Sequence, residues 1–194
     1  MIRGILFALA ATLAACGVSH ASEIHRVVTG LDANDRSTTL VDNVETLRSG
    51  ASGIPSFNLW ITDSAPPNLS FKEDMGLRKI GLTPPESGTS FRVIEFPPVN
   101  DANLAKMDPN FMMKIVGDKA PARGVAVSNP LMHRTRTLDY AIIMSGEIDM
   151  MLDDKTVHLK AGDIVVQQAT NHAWLNHGTE PCRVIFILMD SKQP

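Results

Sequence analysis

The sequence is poor in cysteine, in aromatic residues and in clusters of positive charge. Its 194 residues include two cysteines and 5% aromatic side chains, and the formal net charge is -3. A chain with no long run of Lys or Arg offers no basic surface for a phosphate backbone, which argues against nucleic-acid binding. With so little cysteine, the fold has to be stabilised by an apolar core instead of a disulfide framework.

The rest of the composition is typical of a globular domain. Hydrophobic residues make up 44% of the chain and charged residues 20%, with 13 Gly and 12 Pro. These values exclude wholesale disorder, collagen and coiled coil, and the length suits one domain.

Residues 1–21 have the pattern of an export leader. Arg3 precedes an apolar run from Ile5 to Ala15, which is shorter than the ~20 residues that a membrane-spanning helix needs. Two processing routes are open: cleavage after Ala21, or a lipobox that would leave a lipid on Cys16. We therefore expect an exported protein, either periplasmic or extracellular, that touches a membrane only through a lipid on Cys16.

After the leader, short apolar runs alternate with Gly, Pro and Asp. The runs are IHRVV, TTLV, FNLWIT, FRVIEF, RGVAV, DYAIIM, EIDMML, TVHLK, DIVVQ, HAWLN and CRVIFILM. This rhythm predicts an all-β fold. The runs EIDMML and TVHLK are so close that they must pair antiparallel, which favours a sandwich or barrel. Cys182 begins the last run and is predicted to be a buried, inert thiol.

Two segments depart from the strand pattern. The segment from Asn58 to Ser90 is rich in Pro and Gly and is interpreted as a long surface excursion. One helix is predicted, with Asp108 as its cap, Pro109 in the first position and Gly117 at its end. Its apolar stripe would pack against the core or form a lid over a pocket.

Two histidines flank three of the predicted strands. Because side chains alternate across a strand, His172, Trp174 and Asn176 share one face, which we expect to point inward. Six residues separate His133 from Asp139, about 20 Å of straight strand. A bend within residues 134–137 would be needed to bring His133 and Asp139 together.

The spacing of these residues resembles the two motifs of the cupin family. The first motif is His-x-His, three or four residues, Glu, six residues and Gly. The matching residues here are His133, Thr135, Asp139 and Gly146. The second motif runs from a Gly to His, three residues and Asn, matched by Gly162, His172 and Asn176. Thr135 and Asp139 replace the usual His and Glu.

The resemblance covers roughly residues 88 to 190 and implies a small cupin jelly-roll barrel, commonly dimeric. The expected architecture is all-β, with an N-terminal strand extension and one short helix. Its divisions are the leader (1–21), N-terminal strands and a long loop (22–87), and the barrel (88–194). In a homodimer, IHRVV or TTLV would add to the partner's sheet.

The resemblance also implies a metal site at one end of the barrel. His133, Asp139 and His172 match ligand positions for a divalent metal ion, with iron expected before manganese, nickel or zinc. Two His and one carboxylate would form a facial triad with open positions. Thr135 stands where a fourth ligand belongs and would instead hydrogen-bond a metal-bound water or the substrate.

Three further residues are expected to line the pocket. Trp174 would form part of its wall or of the core, and Asn176 would either anchor the barrel or touch the ligand. Arg134 would clamp an anionic substrate or remain solvated. No catalytic residue is assigned beyond the metal ligands.

These observations lead to one functional hypothesis and two alternatives. The hypothesis is a metal-dependent cupin enzyme, oxidoreductase or dioxygenase-like, that acts on a small organic molecule. The first alternative is a non-catalytic cupin that binds a small ligand, with Thr135 marking a lost metal site. The second is an isomerase or epimerase that uses Asp139 as a general base.

Overall fold

A computed structural model describes residues 22–50, 52–70, 73–116 and 129–192. The strands in this part of the chain are β1 (Glu23–Leu31), β2 (Ser37–Thr46), β3 (Arg48–Ser49), β4 (Pro55–Thr62), β5 (Thr89–Phe96), β6 (Thr137–Ser145), β7 (Glu147–Met151), β8 (Thr156–Lys160), β9 (Ile164–Gln168), β10 (Ala173–Leu175) and β11 (Cys182–Asp190). The helices are α1 (Asp101–Leu104), α2 (Phe111–Val116) and one turn of 3-10 helix (Met75–Leu77).

The all-β prediction is confirmed. Ten of the eleven apolar runs lie in β1, β2 and β4 to β11, with ends that agree to within one or two residues except that β1 and β2 extend three and five residues further. The run RGVAV lies outside the described residues. Alternating burial explains the agreement: β6 and β11 bury every second side chain over most of their length, as expected for strands with one face on a core.

The strands form three antiparallel sheets. A six-stranded sheet has the order β3-β4-β5-β11-β6-β9, a three-stranded sheet the order β10-β7-β8, and β1 and β2 pair as a hairpin. The expected antiparallel pairing of EIDMML with TVHLK is present between β7 and β8. Strands β3 and β4, which precede residue 88, belong to the large sheet.

Aromatic rings fill the space between the two larger sheets. Trp174 of β10 packs edge-on to Phe186 of β11 with ring centroids 5.4 Å apart, and Phe96 of β5 lies 6.4 Å from Trp174. These rings belong to the main apolar core together with Ile143 and Ile148. The core therefore spans the two sheets, and the inward face of the large sheet becomes polar next to it.

The interpretation of Asn58–Ser90 as a surface excursion is wrong in part. Its ends lie in β4 and β5, and Met75 within it is 1% exposed. The buried Arg26 holds this segment, because its guanidinium donates to Asp74 Oδ1 at 2.9 Å and to the Leu59 carbonyl at 3.1 Å. A Cβ on Gly76 would lie 2.8 Å from the Asn58 carbonyl oxygen and would also displace the Arg26 guanidinium, so glycine is needed here.

The prediction of one short helix needs correction, since the described residues contain two α-helices. α2 begins at Phe111 instead of Pro109, after a turn in which the Asp108 carboxylate accepts from the Asn110 amide at 2.8 Å. Gly117 lies outside the described residues. α1 is only four residues long and is capped by Asn100, so it has no apolar periodicity that could have revealed it. None of the described helices is long and apolar enough to cross a membrane.

Candidate metal and ligand site

His133 and His172 meet at one end of the barrel. Their backbones exchange two hydrogen bonds, each amide donating to the other's carbonyl at 2.9 Å. The centroids of the two imidazole rings are 4.2 Å apart, and both residues are buried. The bridge joins the chain leading into β6 to the chain leading into β10, so it connects the two larger sheets.

Each ring is oriented by a backbone carbonyl. His133 Nδ1 lies 2.9 Å from the Leu131 carbonyl oxygen, and His172 Nδ1 lies 3.0 Å from that of Thr170. A carbonyl oxygen only accepts, so each Nδ1 must carry the proton, which leaves Nε2 as the nitrogen able to bind a metal. Metal-ligating histidines are usually oriented by the same kind of hydrogen bond.

The environment keeps His172 uncharged. Burial lowers the pKa of His172 well below its usual value, and the neighbouring His133 adds to this effect, although the hydrogen bond to Thr170 opposes it. A neutral imidazole is the form that binds metals.

Asp139 lies on the inward face of β6, away from water. Its Oδ2 accepts a hydrogen bond from Gln167 Nε2 at 2.9 Å, while its buried Oδ1 has no hydrogen-bond partner among the described residues. Burial raises the pKa of Asp139 to about 6, although a hydrogen bond from Thr137 and the charge of Arg92 oppose the shift. This carboxyl group can therefore exchange a proton near neutral pH.

The structure brings two of the three expected ligands together and leaves Asp139 outside that group. Within the described ranges, no three His, Cys, Asp or Glu side chains are arranged to hold a metal ion. Thr135 and Thr137 stand between His133 and Asp139 on the same buried side of the chain, with their hydroxyl oxygens 2.7 Å apart. The chain bends at Arg136, but Asp139 is held by partners on its own and the neighbouring strand.

The expected pocket residues have separate environments. The ring of Trp174 contacts that of His172, with centroids 6.3 Å apart, and also belongs to the core. Arg134 Nε donates to the Ala169 carbonyl at 2.6 Å.

The fully buried Asn176 anchors the chain. Its Nδ2 donates to the Phe96 and Glu180 carbonyls, and its Oδ1 accepts from the Gly178 amide.

A cleft of about 700 Å³ adjoins the segments that carry the histidine pair, since Arg134 and Asn171, the chain neighbours of His133 and His172, line it. It is lined by Arg134, Thr137, Leu138, Asp153, Gln168, Ala169, Thr170, Asn171 and Ser191. Two buried atoms of lining residues, Asn171 Oδ1 and Ser191 Oγ, have no hydrogen-bond partner among the described residues. Polar side chains thus contribute to the walls of a cleft that adjoins the segments carrying His133 and His172.

Sequence reasoning missed Arg92 and Gln167. Arg92 on β5 is buried, and its Nε and Nη2 donate to Ser90 Oγ at 2.9 and 2.6 Å. A charged residue in a largely apolar strand is ordinarily predicted to point toward solvent. The informative signal was that Ser90 and Arg92 occupy alternate positions and therefore share a face.

The donor chemistry of the histidine pair fits a divalent metal ion. The pair supplies two imidazole nitrogens of the right tautomer, and Cys182 lies elsewhere, in the core. Nitrogen ligands with open positions suit iron, and also zinc, nickel and manganese to differing degrees. The described residues provide a two-histidine site, and water or substrate would have to occupy the other positions.

Comparison with known proteins identifies one family. The family model described as a cupin domain matches residues 122–188. The cupin-domain-containing oxidoreductase fogC of Aspergillus ruber is 31% identical over 177 residues, which cover 87% of this chain and 73% of that protein. The cupin-domain-containing oxidoreductase srdD of Neurospora crassa is 43% identical over 75 residues, which cover 36% of this chain and 37% of that protein.

A shorter match is to the phomopsin biosynthesis cluster protein C' of Diaporthe leptostromiformis, 44% identical over 64 residues, which cover 32% of this chain and 34% of that protein. The chain therefore aligns with only about a third of this relative and of the Neurospora crassa protein.

Proposed function

The chain belongs to the cupin family, and from this premise we propose that it is a metal-dependent oxidoreductase acting on a small organic molecule. Relatives that are named cupin-domain-containing oxidoreductases support the reaction class. The observation that supports metal binding is the pairing of His133 with His172, in which each Nδ1 is hydrogen-bonded to a backbone carbonyl. Iron is the first choice, because open positions beside nitrogen ligands suit its oxygen chemistry.

The chain's own residues would bind and orient the substrate. When bound, the metal supplies Lewis-acid or redox chemistry. Trp174 excludes water from one side of His172, since its ring also packs into the apolar core. The cleft lined by Arg134 and Thr137 gives a small molecule access to this end of the barrel.

Asp139 would hold or release a proton during the reaction. Its Oδ1 is the buried atom without a partner, and its pKa of about 6 allows both protonation states near neutral pH. Thr137 contacts Asp139, and its hydroxyl lies 2.7 Å from that of Thr135. These two hydroxyls lie between His133 and Asp139 along the buried side of the chain.

The test measures metal content on protein purified without chelator and loaded anaerobically with Fe(II). About one metal ion per chain is expected in the wild type, and loss of that metal in His133→Ala and in His172→Ala. His25→Ala is the matched control, because His25 is exposed on β1 and pairs with Asp42. Oxygen uptake would then be measured on the loaded protein. A wild type that binds no metal, or histidine variants that keep it, would overturn the metal assignment.

One observation favours a non-catalytic ligand-binding cupin as the second candidate. The described residues assemble two histidines but no third acidic, cysteine or histidine ligand, and the Thr135 hydroxyl is engaged with Thr137. Metal-free protein that binds a small molecule tightly and takes up no oxygen would favour this candidate. An isomerase or epimerase would instead use Asp139 as its base, and it would turn over substrate after chelation.

Homodimer formation is a further part of the proposal. The outer faces of β6 and β9 expose a patch formed by Tyr140, Ile142, Met144, Ile164 and Val166. The β1–β2 hairpin exposes Val27, Leu31, Leu40 and Val44. Contiguous exposed apolar surface of this kind marks an interaction site, and a second copy of the chain could cover both patches.

We also propose that the protein is exported. The support is the charged, apolar and small-residue pattern of residues 1–21, which lie outside the described structure. Intact mass and N-terminal sequencing of protein from the membrane and soluble fractions would distinguish cleavage after Ala21 from lipidation of Cys16. An unprocessed N-terminus in both fractions would contradict export.

A further inference from the structure

Arg92 is a buried cation without an ion-pair partner among the described residues. Its Nε and Nη2 share the Ser90 hydroxyl, and Nη2 also reaches the Gly81 carbonyl at 3.4 Å. No described hydrogen bond or ion pair uses Nη1. Burial lowers the pKa of Arg92 to about 10, while the charge of Asp139 opposes that shift. The guanidinium nevertheless stays charged at neutral pH.

Strand register places Arg92 and Asp139 on the same inward face. Leu188 of β11 pairs with Ser90 on one side and with Asp139 on the other, and the next inward residue of β11, Phe186, pairs with Arg92. The Cα atoms of Arg92 and Asp139 are thus separated by two strand spacings and two residues, about 10 Å by about 7 Å. The hydrogen bonds to Ser90 draw the guanidinium toward the row that contains Asp139.

The two opposite charges face one interior without touching. They attract each other, yet no ion pair joins them among the described residues. The buried Oδ1 of Asp139 has no hydrogen-bond partner there, and the described hydrogen bonds of Arg92 use Nε and Nη2. Buried charges are ordinarily paired directly or neutralised by a bound group. We propose that the barrel interior binds a small hydroxy acid, whose carboxylate pairs with Arg92 and whose hydroxyl donates to Asp139.

The chemistry of each group selects this ligand class. A guanidinium presents parallel N–H groups that match the two oxygens of a carboxylate. Asp139, as a carboxylate, can only accept, so the second ligand group must be a donor such as a hydroxyl. The inference deepens the proposed function by naming a substrate class, and it rests on that function for the claim that the bound acid is transformed.

The cleft would give a ligand a route to this interior. Thr137 lines the cleft and lies two residues before Asp139 on the buried face of β6. Gln167 fixes Oδ2 of Asp139, so that Oδ1 is the oxygen available to a ligand. A ligand held between Asp139 and Arg92 would lie on the inward face of the large sheet.

The test uses full-length, chelator-treated protein and a probe series of glycolate, 3-hydroxypropionate and 4-hydroxybutyrate. The series varies the distance between carboxylate and hydroxyl, and the primary amide of each acid is its neutral control. Binding is measured by isothermal titration calorimetry and by the concentration-dependent rise in Tm that a native-state ligand produces. At least one acid is expected to bind at about 1 mM or below, and its amide at least about 30-fold more weakly.

Substitutions of Arg92 and Asp139 test which group of the ligand each residue contacts. Arg92→Met is expected to weaken binding of the acid at least about 30-fold, and Asp139→Asn to weaken it less. Arg92→Lys keeps the charge but loses the parallel N–H groups, so it should bind with intermediate affinity and gives a readout if the Met variant does not fold. Arg36→Met is the matched control, because Arg36 is exposed and pairs with Asp32 in the β1–β2 turn.

The inference is overturned if none of the three acids binds, if an amide binds as well as its acid, or if both Arg92 variants bind like the wild type. Because the protein is metal-free here, these outcomes are independent of the metal measurement. Acid binding without metal content or oxygen uptake would overturn the oxidoreductase assignment alone. Metal content with oxygen uptake but no acid binding would overturn this inference alone.

Discussion

His133 and His172 are held together by their backbones, with two reciprocal hydrogen bonds of 2.9 Å and imidazole centroids 4.2 Å apart. The pair is therefore fixed by the protein itself and does not depend on a bound ion to bring the rings together. Ligands held in place in this way lose little conformational freedom when a metal binds. The same bridge ties the two sheets at the end of the barrel where the cleft opens.

Asn176→Ala is predicted to destabilise the fold by about 2–4 kcal/mol, since three backbone groups lose their buried hydrogen-bond partner. Nδ2 of Asn176 donates to the carbonyls of Phe96 and Glu180, and Oδ1 accepts from the Gly178 amide. Urea denaturation measures the loss. Asn34→Ala, in the exposed β1–β2 turn, is the control, and an Asn176 variant no less stable than this control would contradict the anchoring role.

Asp139→Asn is predicted to change how stability depends on pH. The folded-state pKa of Asp139 is raised from 3.8 to about 6, mainly by burial. Between about pH 4 and pH 6 the folded state therefore binds more protons than the unfolded state, so this residue's contribution to stability falls as pH rises. Relative to the wild type, the variant should gain up to about 3 kcal/mol between pH 4 and pH 7.

The measurement for this prediction is the unfolding free energy of both proteins at several pH values. Subtracting the two curves removes the titration of the groups that they share. The charge of Arg92 attracts the Asp139 carboxylate, which opposes the shift without reversing it. A difference curve that is flat from pH 4 to pH 7 would show that Asp139 titrates normally.

The sequence predicted most of the strands, because short apolar runs bounded by Gly, Pro and Asp depend on local composition. The resemblance to the cupin motifs implied that His133 and His172 meet. The position of Asp139 could not be predicted in the same way, since it is set by Gln167 on another strand and by Arg92 two strands away. That the face of β5 carrying Ser90 and Arg92 is the buried one likewise became visible only once β5 was placed beside β11.

Cys182 is predicted to resist alkylation in the native protein. The residue is fully buried, and burial together with the charge of Glu147 raises the pKa of its thiol to about 11. Compared with an ordinary thiol, the reactive thiolate is roughly 100-fold scarcer. Mass spectrometry of tryptic peptides after iodoacetamide treatment should find Cys182 unmodified in native protein and modified in guanidinium chloride. Equal modification under both conditions would contradict its burial.

The double substitution Ile164→Lys and Val166→Lys is predicted to convert a dimer into a monomer. Ile164 pairs across the strands with Ile142, and Val166 with Tyr140, so the two lysines would put charge in the middle of the exposed apolar patch on β6 and β9. Charge buried at an interface without a partner opposes association.

Light scattering at micromolar concentration gives the mass of each protein. Leu69→Lys is the control, since Leu69 is 88% exposed and lies in the segment between β4 and β5. A monomeric wild type would refute the dimer, and a dimeric double variant would move the interface elsewhere, with the exposed apolar face of the β1–β2 hairpin as the next surface to substitute.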